Sequence, residues 1–160
     1  MTIAAWRLVK WQHSHEAFTG DGSHKFGNRW NSPGRRVVYV GDTQALSALE
    51  NIVHFRKGQT PPSYAFLSAE FDDSLVGELV GALPSDWANK PHLTATLGDE
   101  WYDTHRSCVL AVPTALVPRG TNYLIDVTNP GFSKIRLGSP THYSFDARIT
   151  SIISSAAKRS

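Results

Sequence analysis

The chain has 160 residues, of which 41% are apolar and 19% are charged. These proportions are ordinary for a globular protein and exclude fibrous and disordered classes. The length suits one core, so we expect a single domain over residues 1–160. Lysine and arginine (16) barely outnumber aspartate and glutamate (14), whereas a duplex-binding domain usually has a concentrated basic stripe. The charge balance permits an anionic ligand, and we expect no direct nucleic acid binding by this chain.

Neither export nor membrane insertion is indicated. The N-terminus, from Met1 to Arg7, lacks the basic start, apolar run and small-residue cleavage site of a signal peptide. The longest apolar stretch, residues 108–118, is well short of the roughly 20 residues that span a bilayer. The single cysteine, Cys108, fits a reducing compartment. We therefore expect a cytoplasmic protein without a membrane partner.

The first half of the chain predicts two strands and a helix. The first elements in chain order are a strand over residues 3–9, a loop over 12–27 and a strand over 36–40. A helix should follow from Asp42 or Thr43, because either side-chain oxygen can accept a hydrogen bond from the first helical turn. We expect it to run to about Arg56 and to stop at Gly58.

The second half predicts more strands and one further helix. The expected elements are strands over residues 64–71, 108–112, 122–127 and 133–137, an irregular or helical piece over 72–80, a turn over 83–87 and a helix over 91–106. Gly98 weakens the centre of that helix. Strands and helices do not alternate regularly, so the sequence predicts an α+β fold with largely antiparallel pairing.

Glu50 lies in an unusual place on the predicted helix. About 3.6 residues per turn puts Leu46, Leu49 and Val53 on one stripe, with Glu50 among them. A carboxylate on an apolar face needs a partner, a raised pKa or a role in a cleft. The spacing alone leaves two interpretations open, namely a structural ion pair with an arginine or a functional group.

Two arginines and a tyrosine are further candidates. Arg29, inside Gly27-Asn28-Arg29-Trp30-Asn31, can bind phosphate oxygens in a bidentate manner, or it can stack on Trp30 at the surface. Arg7 can supply a second phosphate contact or form a salt bridge at the rim. Tyr39 lies in mid-strand, where core packing with a satisfied hydroxyl is the simple expectation.

Common sequence motifs for nucleotide binding, metal binding and a catalytic nucleophile are absent from the sequence. Seven histidines are scattered without the spacing of a metal site, and no His-Glu-x-x-His occurs. There is no Gly-x-Gly-x-x-Gly, no phosphate-loop lysine motif and no Gly-x-Ser-x-Gly. We expect no metal site.

Read in order, several short motifs resemble the RES family, which is named for an arginine, a glutamate and a serine and supplies toxins of bacterial toxin–antitoxin pairs. The matching runs are Trp6-Arg7, residues 27–34, residues 38–40 with 45–50, Gly98-Asp99-Glu100-Trp101, residues 112–115, residues 122–125 with Asn129-Pro130, and residues 145–148. Two departures stand out. Asn28 separates the motif glycine from Arg29, and Thr114 replaces the family serine.

The resemblance implies a fold like that of ADP-ribosyltransferase toxins, with split antiparallel β-sheets and flanking helices. It further implies NAD as substrate rather than as cofactor, and no other cofactor. Glu50, Arg29 and Tyr39 would be catalytic, and Arg7, Arg29, Tyr39 and Thr114 would bind NAD. Thr114 keeps the hydroxyl but adds a methyl, which leaves its effect on activity open.

The function that the resemblance implies is cleavage of the nicotinamide–ribose bond of NAD, with water or phosphate as acceptor. The enzymatic alternative is a mono-ADP-ribosyltransferase that modifies a cellular protein. Two further hypotheses are a nucleic-acid-binding module, from a pI near 8.8 and five tryptophans, and an inactive relative that only binds its antitoxin. The resemblance also implies an Xre-like helix-turn-helix antitoxin as partner. The oligomeric state stays open, and a homo-oligomer is one option.

Overall fold

The computed structural model describes residues 1–56 and 63–156. The strands in these ranges are β1 (Thr2–Lys10), β2 (Val37–Gly41), β3 (Tyr64–Asp72), β4 (Val76–Glu78), β5 (Val109–Pro113), β6 (Thr121–Asp126), β7 (Arg136–Leu137) and β8 (Thr141–Tyr143). The α-helices are α1 (Asp21–Phe26), α2 (Gln44–Ile52), α3 (Pro91–Thr104) and α4 (Ala147–Ala156). None of these helices is both long and apolar enough to cross a membrane.

The strands join in the order β4-β5-β6-β2-β1-β3-β7, and β8 also pairs with β3. Neighbouring strands are antiparallel except for β4 and β5. β1 pairs with β3 along its whole length, but it meets β2 at one residue pair, Trp6 with Gly41. The sheet is therefore split between β1 and β2, which confirms the predicted α+β fold with split antiparallel sheets.

One helix packs on each part of the split sheet. Ala48 and Ile52 of α2 pack with Leu8 of β1 and Phe66 of β3. On the other part, Trp101 of α3 is buried in a separate cluster, with further members Trp30, Val37, Leu110, Val112 and Leu124. Burial of these apolar surfaces stabilises the packing of each helix on the sheet. A cleft is left between the halves.

Several predicted elements agree with the structure. Thr43 is the N-cap of α2, since its side chain accepts a hydrogen bond from the backbone N–H of Leu46. The strands expected over residues 3–9, 36–40 and 64–71 correspond to β1, β2 and β3. α2 ends at Ile52 rather than near Arg56, and the predicted stop at Gly58 lies outside the described residues.

Other predictions were wrong. The expected loop over residues 12–27 contains most of a 3-10 helix (Trp11–Glu16) and all of α1. The irregular or helical piece expected over 72–80 is helical at Asp73–Leu75, but it continues into β4, which pairs with β5. Of the strand expected over 133–137, only Arg136–Leu137 is a strand (β7), and the first two residues belong to a 3-10 helix (Pro130–Lys134). β8 and α4 were not predicted, and for β8 the reason is that three residues are too few to show a periodic pattern.

Gly98 is required where α3 meets the segment that carries Arg29. A Cβ atom at position 98 would lie 1.7 Å from the backbone oxygen of Trp30. Next to this contact, the Thr94 hydroxyl donates to the backbone oxygen of Arg29 at 2.7 Å. The glycine that weakened the predicted helix thus permits α3 to hold the Arg29 segment in place.

We expect Gly98→Ala to destabilise the protein by about 2 kcal/mol, because the added methyl forces the Trp30 backbone away from α3. Alanine ordinarily favours a helix over glycine by roughly 0.5–1 kcal/mol. Gly22→Ala is the matched control, since a Cβ at Gly22 in α1 would meet nothing within 4 Å. Urea unfolding measures both variants, and equal stability of the two would contradict this packing argument.

Candidate functional site

A cavity of about 510 Å³ opens where β1 and β2 separate. All the site residues expected from the sequence line it, namely Arg7, Arg29, Tyr39, Glu50 and Thr114. Asn122 of β6 also lines it. They come from different strands, loops and one helix. The fold thus brings the candidates to one place, while their roles stay predictions.

Glu50 binds neutral donors in this cavity. Its Oε1 atom accepts a hydrogen bond from the Thr114 hydroxyl and another from the Asn122 side-chain amide, each at 2.8 Å. No arginine or lysine of residues 1–56 and 63–156 forms a salt bridge with it. The structural ion pair considered from the sequence is therefore not seen in the described part of the chain.

The orientation of α2 explains why Glu50 faces the cavity. The helix is bound to β1 through Ser47, whose hydroxyl donates to the Trp6 backbone oxygen at 2.6 Å, and through Asn51, which donates to the Leu8 backbone oxygen at 3.2 Å. The predicted apolar stripe was wrong at its end, because Val53 is 51% exposed. Val53 lines the cavity instead of the core.

Arg7 has a cationic side chain without an acidic partner among the described residues. One guanidinium nitrogen, Nη1, donates to the Tyr39 backbone oxygen at 2.9 Å, and its buried Nε has no described partner. Burial lowers the pKa of Arg7 to about 10, so the group is still protonated at neutral pH. A desolvated cation of this kind is costly to bury without a counter-ion and is suited to bind an anion.

Arg29 is a second guanidinium without an ion pair in the structure as described. Its Nη1 donates to the Ala88 backbone oxygen at 2.9 Å, and its guanidinium carbon lies 5.9 Å from the ring centre of Trp87. The predicted alternative of stacking on Trp30 was wrong, since Trp30 is only 2% exposed. The cavity therefore contains two cations and one carboxylate that do not neutralise one another.

The hydroxyl of Tyr39 is engaged by protein groups. It donates to the Asn31 side-chain oxygen at 2.6 Å and accepts from the Trp30 backbone N–H at 3.2 Å. Burial raises the pKa of Tyr39. The satisfied hydroxyl matches the simple expectation from the sequence, yet the residue also lines the cavity. Tyr39 thereby ties the loop next to Arg29 to the floor of the site.

Asn122 was not predicted from the sequence as a site residue, although it begins one of the matching motifs. Its place depends on strand register, because it lies opposite Gly41 of β2 and Val112 of β5. Only this pairing brings its amide to Glu50.

Among the described residues, no three histidine, cysteine, aspartate or glutamate side chains group as a metal site would.

Known proteins similar to this chain agree with the sequence motifs. The model of the RES domain matches residues 4–146. The chain belongs to the RES domain family. A protein of Sphingobium sp. (strain YBL2) named Prs ADP-ribosylating toxin is 29% identical over 93% of this chain and 98% of its own length. A protein named Toxin Res from Photorhabdus laumondii is 32% identical, over 81% of this chain and 85% of its own.

A solved structure supports the same fold for this RES domain chain. The Mycobacterium tuberculosis MbcT–MbcA toxin–antitoxin complex contains a chain with a TM-score of 0.74 and 17% identity. The match covers 90% of this chain and 85% of that one. The resemblance inferred from the motif order is thus confirmed at the level of family and fold.

We expect Arg7→Met to raise the free energy of unfolding by on the order of 1 kcal/mol, because it removes a buried charge without a counter-ion. Since burial lowers the pKa of Arg7 to about 10, the penalty is present below that pH. The advantage of the variant should shrink as pH rises further, when folded Arg7 loses its proton. Thermal and urea unfolding across pH measure this difference.

Arg35→Met is the matched control for Arg7→Met. Its guanidinium binds Asp103 at 2.6 Å and Asp99 at 3.4 Å, so its loss should lower stability. A stability decrease for Arg7→Met equal to that for Arg35→Met would contradict an uncompensated charge at Arg7.

Proposed function

We propose that this chain is the toxin of a toxin–antitoxin pair and that it cleaves the nicotinamide–ribose bond of NAD. The observation that carries the proposal is Glu50, a carboxylate bound only by neutral donors in the described structure, in one cavity with Arg7 and Arg29. The relatives named as toxins, one of them as ADP-ribosylating, support the same reading.

The charges of the site suit a dinucleotide. Arginine binds phosphate oxygens well because its planar donors match their geometry. Arg7 and Arg29 have no acidic partners among the described residues, so both are available to the diphosphate of NAD. Tyr39 would offer its ring to the nicotinamide side, because its hydroxyl already binds Asn31.

Glu50 fits the charge that develops during cleavage. As the bond between the ribose carbon and the nicotinamide nitrogen breaks, its electron pair leaves with nicotinamide, which becomes neutral. The ribose acquires oxocarbenium character, and a nearby carboxylate stabilises it or holds the ribose hydroxyls. Water or phosphate then attacks that carbon, and water gives up a proton.

We expect Glu50→Gln to lower nicotinamide release from NAD at least about 100-fold, since it removes the charge that stabilises the oxocarbenium ion. The variant keeps the shape of the side chain. Glu100→Gln on the exposed side of α3 is the matched control and should leave release unchanged. Chromatography of the products measures nicotinamide, and equal release by both variants would refute the role of Glu50.

A second candidate is mono-ADP-ribosylation of a cellular protein, which breaks the same bond and uses a protein nucleophile as acceptor. The relative named Prs ADP-ribosylating toxin, matched over 98% of its length, favours it. NAD labelled in its adenylate part separates the two. We expect the label in small products only, and label bound to a protein would favour the second candidate.

We also propose that an Xre-like helix-turn-helix antitoxin binds this chain and blocks the cavity. The similar solved chain comes from a toxin–antitoxin complex, which supports an antitoxin as the kind of partner. Nicotinamide release should therefore fall when the two proteins are purified together, and unchanged release in the complex would overturn this partner model.

A further inference from the structure

The two oxygens of Glu50 have different surroundings. Thr114 and Asn122 both donate to Oε1, and in the described structure Oε2 accepts no hydrogen bond from the protein. Two donors that converge on one oxygen restrict rotation of the carboxylate. Oε1 is thereby an anchor, and Oε2 is the oxygen left for a ligand in the cavity that Glu50 lines.

Thr114 is itself fixed by the turn between β5 and β6. Its hydroxyl donates to Glu50 and accepts from the Leu116 backbone N–H at 3.1 Å. The Thr114 backbone N–H donates to the Gly120 backbone oxygen at 3.2 Å, which closes the turn. With 7% of its surface exposed, Thr114 has little room to adopt another rotamer.

The methyl group of Thr114 occupies space that any side chain at position 120 would need. A Cβ atom on Gly120 would lie 2.6 Å from Thr114 Cγ2 and 2.8 Å from Val117 Cγ2. Gly120 does not have a positive φ, so alanine is compatible with its backbone. Glycine at this position is therefore needed for space rather than for conformation.

The χ1 angle of a threonine sets the positions of its hydroxyl and its methyl at the same time, because both groups are attached to Cβ. The rotamer that directs the hydroxyl to Glu50 also directs the methyl to Gly120. Displacement of the methyl would therefore turn the hydroxyl away from Oε1.

We propose that Gly120 and Thr114 form a matched pair that, with Asn122 as second donor, orients Glu50 so that Oε2 meets the ribose. Gly120 and Asn122 are then positioning residues for NAD cleavage. This inference rests on the proposed function and adds which groups set the direction of the carboxylate.

The test is the kinetics of nicotinamide release by Gly120→Ala, Thr114→Ser and the double variant. We expect Gly120→Ala to lower kcat by about tenfold or more with KM within about twofold, since orientation is lost but binding by the arginines is kept. Thr114→Ser keeps the hydroxyl that donates to Glu50, and its own kcat is the reference for the double variant. The double variant should be at least about threefold faster than Gly120→Ala, because the Thr114 methyl no longer clashes, while the contact with Val117 Cγ2 at 2.8 Å remains.

Gly22→Ala is the matched control for a glycine-to-alanine change and should show wild-type kinetics, as its Cβ meets nothing. A double variant as slow as Gly120→Ala would overturn the matched pair. If Gly120→Ala does not fold, Asn122→Ala tests the same anchor, and an unchanged kcat would overturn it. A wild type that releases no nicotinamide would instead overturn the proposed function, and the inference with it.

Discussion

The separation of β1 and β2 is the constraint on which the rest of the structure depends. Only Trp6 and Gly41 pair across it, and Arg7 of β1 and Tyr39 of β2 line a cavity beside this junction. A core cluster that includes Ala5 of β1, Val38 of β2 and Phe71 of β3 still joins the two parts of the sheet. The cleft itself is lined by groups whose charges are not matched by salt bridges with one another in the described structure.

Those unmatched charges connect stability to function. Arg7 and Arg29 donate to backbone oxygens, and Glu50 accepts from a hydroxyl and an amide. Neutral partners hold the side chains in position but do not neutralise them. A salt bridge between these groups would occupy their charges, and it would have to be broken before a dinucleotide could bind.

Local signals in the sequence predicted the elements that depend on nearby residues. The Thr43 cap and the strands of the first half could be predicted because caps and β-branched runs act over a few residues. The face of α2 was predicted incorrectly at Val53, since Ala48 and Ile52 make the apolar contacts with β1 and β3, and the polar residues Ser47 and Asn51 also bind β1. Motif order identified five residues of the site, whereas Asn122 and the Trp87 contact of Arg29 required strand register and tertiary packing.

The packing around Arg29 gives the protein an optical property. The Arg29 guanidinium lies near Trp87. The Trp87 ring is 5.6 Å from the ring of buried Trp30, which directly follows Arg29 in the sequence. Trp101 belongs to the same cluster as Trp30. Indole emission depends on nearby charge and solvent, so these tryptophans form an intrinsic fluorescent reporter beside one wall of the cleft. Movement of Arg29 onto an anion would alter that emission without any attached dye.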